Sequence, residues 1–186
     1  MYLVAVVKDV VRIPPSLFSL PLQEAAKRVL RERYEGYLHP ELGIVVTVFD
    51  IKVSEYGRIL PGDGATYHDA EFKILAFKPA VKEVVEGLVS DARMQGLFVN
   101  LGPIEGFIHK SQILDEEVDF DPSSARFIGR RSRLAVGKND KIRARVIAIS
   151  LPSGPMQKLR VHMTMRQPLL GKIEWIKEQI KRMRGR

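Results

Sequence analysis

The chain has 186 residues, 45% hydrophobic and 28% charged, enough apolar material to build a core in one or two small domains and too much for a disordered or fibrous class. It has no cysteine, which excludes disulfide scaffolds, thiolate metal sites, redox pairs and cysteine nucleophiles and fits a reducing compartment. Thirty Lys and Arg against twenty-two Asp and Glu leave a net charge of +8. Residues 1–78 are neutral, with ten charges of each sign, so the whole excess falls in residues 79–186 and points to a polyanion as the partner of that part. Residues 1–7 are apolar but too short for a signal core, and no stretch reaches membrane-spanning length, so a soluble intracellular protein with no membrane contact is expected.

The Val-rich segment 2–13 reads as a strand stopped by Pro14 and Pro15. A helix follows, with Ser19 as cap, Pro21 in its first turn, Leu22, Ala26, Val29 and Arg33 at helical spacing, and Gly36 as its end. Residues 42–53 (LGIVVTVFDIKV) are apolar at both parities, a strand covered on both faces, and a small domain has one helix to cover one of them. A partner protein, or a sandwich with the second domain, would cover the other. Residues 54–69 form an exposed loop around Pro61-Gly62-Asp63-Gly64, where glycine supplies positive φ on both sides of Asp63. His68 beside Asp63 and Asp69 is read as part of that solvated loop rather than as a metal site. Residues 71–77 form another strand and Lys78-Pro79 a domain boundary, giving domains 1–78 and 79–186, the first β-α-β-β.

From Val81 on, short strands alternate with Gly-rich turns, as a small β-barrel requires: residues 82–91, 96–101, 106–109, 141–149 and 158–166. The acidic run 115–121 is placed on the surface, screening the basic segment after it or meeting a partner, and residues 122–133 are placed in a loop or short helical turn. In the last strand Leu159, Val161, Met163 and Met165 point one way and Lys158, Arg160, His162, Thr164 and Arg166 the other. Ile173, Ile176, Ile180 and Met183 make the apolar stripe of a basic terminal helix.

If Leu97, Val99 and Leu101 face inward, Phe98 faces outward. Phe107 and His109 share a parity on the next strand, so Phe98, Phe107 and His109 assemble an exposed face flanked by Arg143, Arg145, Lys158 and Arg160. Flat rings stack on unpaired bases while Lys and Arg follow phosphates, a combination suited to single-stranded RNA; the competing reading places both Phe in the core. No phosphate loop, HExxH, GxSxG elbow or cofactor motif is present, so no cofactor, metal or catalytic residue is expected.

Gly87, Val89, the Gly96-Leu97-Phe98-Val99 block, Gly106-Phe107-Ile108-His109, the turn from Gly137 to Asp140 and the close Met163-Thr164-Met165-Arg166 resemble the OB-fold RNA-binding motif named after ribosomal protein S-one. By that resemblance Phe98, His109 and Lys158 match RNA-contacting positions, while Gln95 stands in place of an aromatic and Ser150 in place of an acid. The opening YLVAVVKDVVRIPPSLF, the strand LGIVVTVFDI and the loop LPGDGATYHDAEF, set before this OB-fold, resemble the E-prime family of archaeal RNA polymerase subunits, counterpart of the seventh subunit of eukaryotic RNA polymerase II. The resemblance implies an α+β chain in which an N-terminal RNP-like tip domain precedes a five-stranded OB-fold barrel with a terminal helix. It further implies a non-catalytic stalk protein of the polymerase, a heterodimer with the smaller F subunit, and docking on the polymerase core through Leu60, Pro61, Gly62, Asp63 and Gly64. The compartment would be the archaeal cytoplasm, or the nucleus in a eukaryote. An RNA-binding accessory of an exosome or translation initiation complex is the alternative.

Overall fold

The computed structural model describes residues 2–150 and 159–184, and the chain divides into two compact units, 1–78 and 79–186. In the first unit β1 (Tyr2–Ile13) leads through a single 3-10 turn to α1 (Leu22–Tyr34), followed by β2 (Leu38–His39), β3 (Gly43–Ile59) and β4 (Thr66–Phe77). These strands form one antiparallel sheet in the order β1-β4-β3-β2. The cap of α1 is Pro21 and not Ser19, and no side chain caps it: proline's fixed φ starts the helix without a donor to satisfy. Gly36 lies at φ +80 just past the helix end, as expected of its residue type.

The helix covers one sheet face. Ala25, Ala26 and Leu30 pack on Val11, Ile13, Val45, Val48, Phe72 and Ile74, a core of small helical residues against branched and aromatic strand residues. At the helix end the Tyr34 hydroxyl donates to Asp9 at 2.5 Å; partial burial and that bond together push its ionisation up to about 12. The other sheet face is open. Tyr2, Val4 and Val6 are 55, 56 and 60% exposed, and they share that face with Phe49 and, by register, with Leu75 and Phe77. The uncovered apolar face expected of residues 42–53 therefore lies mostly on β1, while β3 buries Val45 and Val48 beneath the helix.

The expected loop at 54–69 is largely strand. β3 runs to Ile59 and β4 begins at Thr66, so only 60–65 form the turn of a long hairpin, with register shifts in β3 at three places. His68 is consequently a buried strand residue and not part of a solvated loop: its ring packs over Gly57 and its Nδ1–H donates to the Ser54 carbonyl at 2.9 Å. Gly62 alone of the two turn glycines has positive φ, +88. Asp63 does the rest of the turning by accepting the Ala65 amide at 3.1 Å.

In the second unit β5 (Val84–Arg93), β6 (Gly96–Asn100) and β7 (Glu105–His109) form a meander. Three short strands follow, β8 (Val118–Asp121), β9 (Arg126–Gly129) and β10 (Ala135–Gly137), then β11 (Lys141–Ser150), β12 (Arg160–Thr164), β13 (Gly171–Lys172) and α2 (Ile173–Arg184). β12 pairs parallel with β7 and antiparallel with β11, which in turn pairs with β5, so five strands close into a barrel of OB topology. Its interior holds Val89, Leu97, Val99, Ile108, Ile142, Ala144, Val146, Val161 and Met163. Gly96 is required where β6 meets β7, since a Cβ there would stand 2.1 Å from the Ile108 carbonyl oxygen.

Between barrel strands three and four, β8, β9 and β10 form a separate antiparallel sheet where a loop or helical turn was expected. The acidic run does meet the basic segment that follows it: Asp119 accepts from both Arg130 Nε and Nη2, Glu117 accepts from Arg130 Nη1, and Glu116 accepts the Arg131 amide at 2.7 Å. Asp115 pairs with Arg166.

Candidate nucleic-acid interface

Phe98 and Phe107 lie directly opposite each other on β6 and β7, ring centroids 5.2 Å apart and tilted by 52°. Both are half-buried by one another while Leu97, Val99 and Ile108 fill the barrel, so they lie on its outer face. The parallel pairing of β12 with β7 sets His162 opposite Phe107, and the two rings stand 6.0 Å apart, edge to face. His109, two residues along β7, has its ring 6.4 Å from that of Phe107. Its Nδ1 accepts the Ser111 amide at 3.3 Å and lies 2.8 Å from the Ser111 hydroxyl. The result is a cluster of four rings on three strands with Phe107 at its centre, and a guanidinium, that of Arg93, lies 5.1 Å from the Phe98 centroid.

The expected residues divide accordingly. Phe98, Phe107 and His109 come together. Arg160 is exposed on β12, two positions from His162. Arg143, on β11, is turned toward β5, where its Nε and Nη2 donate to Glu86 at 2.9 and 2.7 Å. Arg145 lies opposite Thr164, its Nε buried without a partner among the described residues. Lys158 lies outside the described residues. Arg93 and His162 are the additions. Periodicity ended the first barrel strand at Asp91, two residues short of Arg93, and His162 was placed outward without its neighbour, because β12–β7 pairing joins segments more than fifty residues apart.

In the first unit the residues Leu60, Pro61, Gly62, Asp63 and Gly64 form the hairpin tip, and it is fastened from within. Arg12 Nε and Nη2 donate to the two Asp63 oxygens, each at 2.8 Å, and the Tyr67 hydroxyl adds a third bond at 2.6 Å. These bonds hold the Asp63 carboxyl far below the usual carboxylate range and the Arg12 guanidinium above its own. Leu60 and the neighbouring Ile59 are exposed. Among the described residues no cluster of His, Asp and Glu has the grouping of a metal site, and no helix is long and apolar enough to cross a membrane.

Comparison with known proteins matches each unit to a family. Residues 8–64 match the "SHS2 domain found in N terminus of Rpb7p/Rpc25p/MJ0397", and residues 78–150 match the "S1 RNA binding domain". The chain is 43% identical over 173 residues to DNA-directed RNA polymerase subunit Rpo7 of Sulfolobus acidocaldarius, covering 93% of each chain. The chain belongs to the Rpo7 family of RNA polymerase subunits. Rpo7 of Saccharolobus solfataricus is 44% identical over 95% of this chain and 97% of its own. The likeness extends to the DNA-directed RNA polymerase III subunit RPC8 of Saccharomyces cerevisiae, 29% identical over 78% of this chain and 71% of that protein. This chain is thus an SHS2 unit, where the E-prime resemblance implied an RNP-like tip domain, followed by the closed S1-type barrel and terminal helix that the resemblance also implied.

Proposed function

We propose that this Rpo7-family protein is the non-catalytic stalk component of its polymerase, holding single-stranded RNA on the outer face of the barrel. The ring cluster of Phe98, His109 and His162 around Phe107 carries the reading, because solvent-facing rings in a basic domain match the chemistry of unpaired bases and phosphates. The open apolar face of the first unit, centred on Val4 and Val6, supports heterodimerisation with the smaller F subunit, and the fastened tip Leu60 to Gly64 supports insertion into the core enzyme. A tip already ordered by Arg12 and Tyr67 loses little conformational entropy on docking.

The test is binding of a short fluorescent oligouridylate at several salt concentrations. With about four or five phosphates neutralised, the log–log salt dependence should fall with a slope near −0.7 per phosphate. A flat response would overturn the RNA assignment.

A further inference from the structure

We infer that Arg93 is a nucleotide-contacting residue of the RNA face and that Asp91 is its latch, competing with RNA phosphate for the same guanidinium. The inference rests on the single-stranded RNA reading above and specifies how that face is gated. In the β5–β6 register Asp91 stands opposite Phe98, Ala92 opposite Leu97 and Arg93 opposite Gly96. Ala92 and Leu97 are buried, so alternation puts Asp91 and Arg93 on the outer face beside Phe98. Gly96 presents no side chain to Arg93, and the guanidinium instead lies over the Phe98 ring, 5.1 Å from its centroid, with its Nε donating to Asp91 Oδ2 at 2.7 Å. Phe107 occupies Phe98's other flank. A base approaching Phe98 must therefore stack on the Arg93 plane or displace it.

The Nη groups of Arg93 have no partner among the described residues, so the guanidinium has donors free for a phosphate while its Nε stays tied to a carboxylate. Side-on capture of a phosphate through Nε and an Nη requires Asp91 to release Nε, and end-on capture through both Nη leaves the Asp91 carboxylate beside the bound phosphate. The bond to Arg93 keeps the Asp91 carboxyl below the usual range, so it is ionised at neutral pH; the Ala92 amide, bonded to Oδ1 at 3.0 Å, and Lys138 act in the same direction. The latch is thus charged where RNA binds, and it repels phosphate while tethering the cation that would attract it.

The measurement is a double-mutant cycle on oligouridylate affinity with the full chain, using Asp91→Asn, Arg93→Ala and the double variant. Asparagine keeps the oxygen that accepts the Ala92 amide and removes the charge. Asp91→Asn should tighten binding about two- to fivefold, the size of one exposed ion pair, Arg93→Ala should weaken it, and the gain from Asp91→Asn should vanish when Arg93 is already alanine. A gain that persists in the Arg93→Ala background would show Asp91 acting only as a free negative charge and would overturn the latch, as would no gain at all. If the wild-type chain itself shows no salt-dependent binding, the RNA reading fails first and the latch with it, an outcome distinct from the other two.

Discussion

Phe98 shows how much one parity decides. Its neighbours Leu97 and Val99 are fully buried, so the same strand that fills the barrel must turn Phe98 out, and its exposure is moderated only by Phe107 and Arg93. An aromatic pair left outside a barrel with room for Leu and Val has no packing reason to be there, which is why the pair reads as a binding surface. Replacing Phe98 and His109 together by alanine should cost about 1–3 kcal/mol of RNA binding per stacked base lost, with unchanged thermal unfolding because neither side chain fills the core. The check is oligouridylate titration beside a melting curve of the same variant. A large fall in melting temperature would show that these rings support the barrel instead.

At the scale of elements, the three-stranded sheet β8-β9-β10 was invisible in the sequence. Its strands are three or four residues long, too short for a periodic signal, and the cross-strand row Phe120, Phe127 and Val136 is joined by ion pairs from Arg130 to Asp119 in giving it cohesion. The same cohesion makes the sheet acid-sensitive. Hydrogen bonds from Ser123 and Ser124 hold the Asp121 carboxyl down at about 2, and the bonds from Arg166, Ser132 and Arg130 lower Asp115, Glu116 and Asp119. A carboxyl lowered on folding adds stability above its unfolded value near 4 and loses it as pH falls through the folded value. The sheet should therefore keep full protection at pH 6 and open between about pH 4 and 2, ahead of the barrel. Amide exchange of Phe127 and Ile128 against Val99 measures this. Equal protection at both ends of that range would show that the ion pairs add nothing.

The length of β3 is hidden in the sequence for a related reason. Its distal half lies at the edge of the sheet beside β4, which β1 flanks on the other side, and Glu55, Tyr56, Arg58 and Ile59 are all exposed, so no alternation marks it and the turn residues at 61–64 dominate the local signal. The pairing of Gly57 with His68, Arg58 with Tyr67 and Ile59 with Thr66 reveals the strand.

For the whole molecule, the uneven charge and the unevenly covered surfaces agree. The neutral unit carries an open apolar face, suited to protein, and the basic unit carries exposed rings, suited to RNA. Pull-down of the tagged chain from its native extract should recover polymerase core subunits and one small stoichiometric partner. The variant Val4→Glu with Val6→Glu, which puts two carboxylates on the open face without touching the helix-covered core, should keep its circular dichroism and lose the small partner. Recovery of exosome or ribosomal proteins in place of polymerase would overturn the stalk assignment. Retention of the partner by the variant would place the heterodimer contact elsewhere.

By itself the sequence determined the two-unit α+β plan, the barrel strands, the outward parity of Phe98 and the concentration of positive charge in residues 79–186, because periodicity, turn residues and charge are local properties of the chain. The tertiary structure alone decided that His162 meets Phe107, that Arg93 lies on Phe98, that Arg143 is taken up by Glu86 and that Arg12 fastens Asp63. Each of these depends on strand register or on pairing between distant segments, and a register shift of one residue, which leaves composition and pattern untouched, would send every one of those side chains to the opposite face.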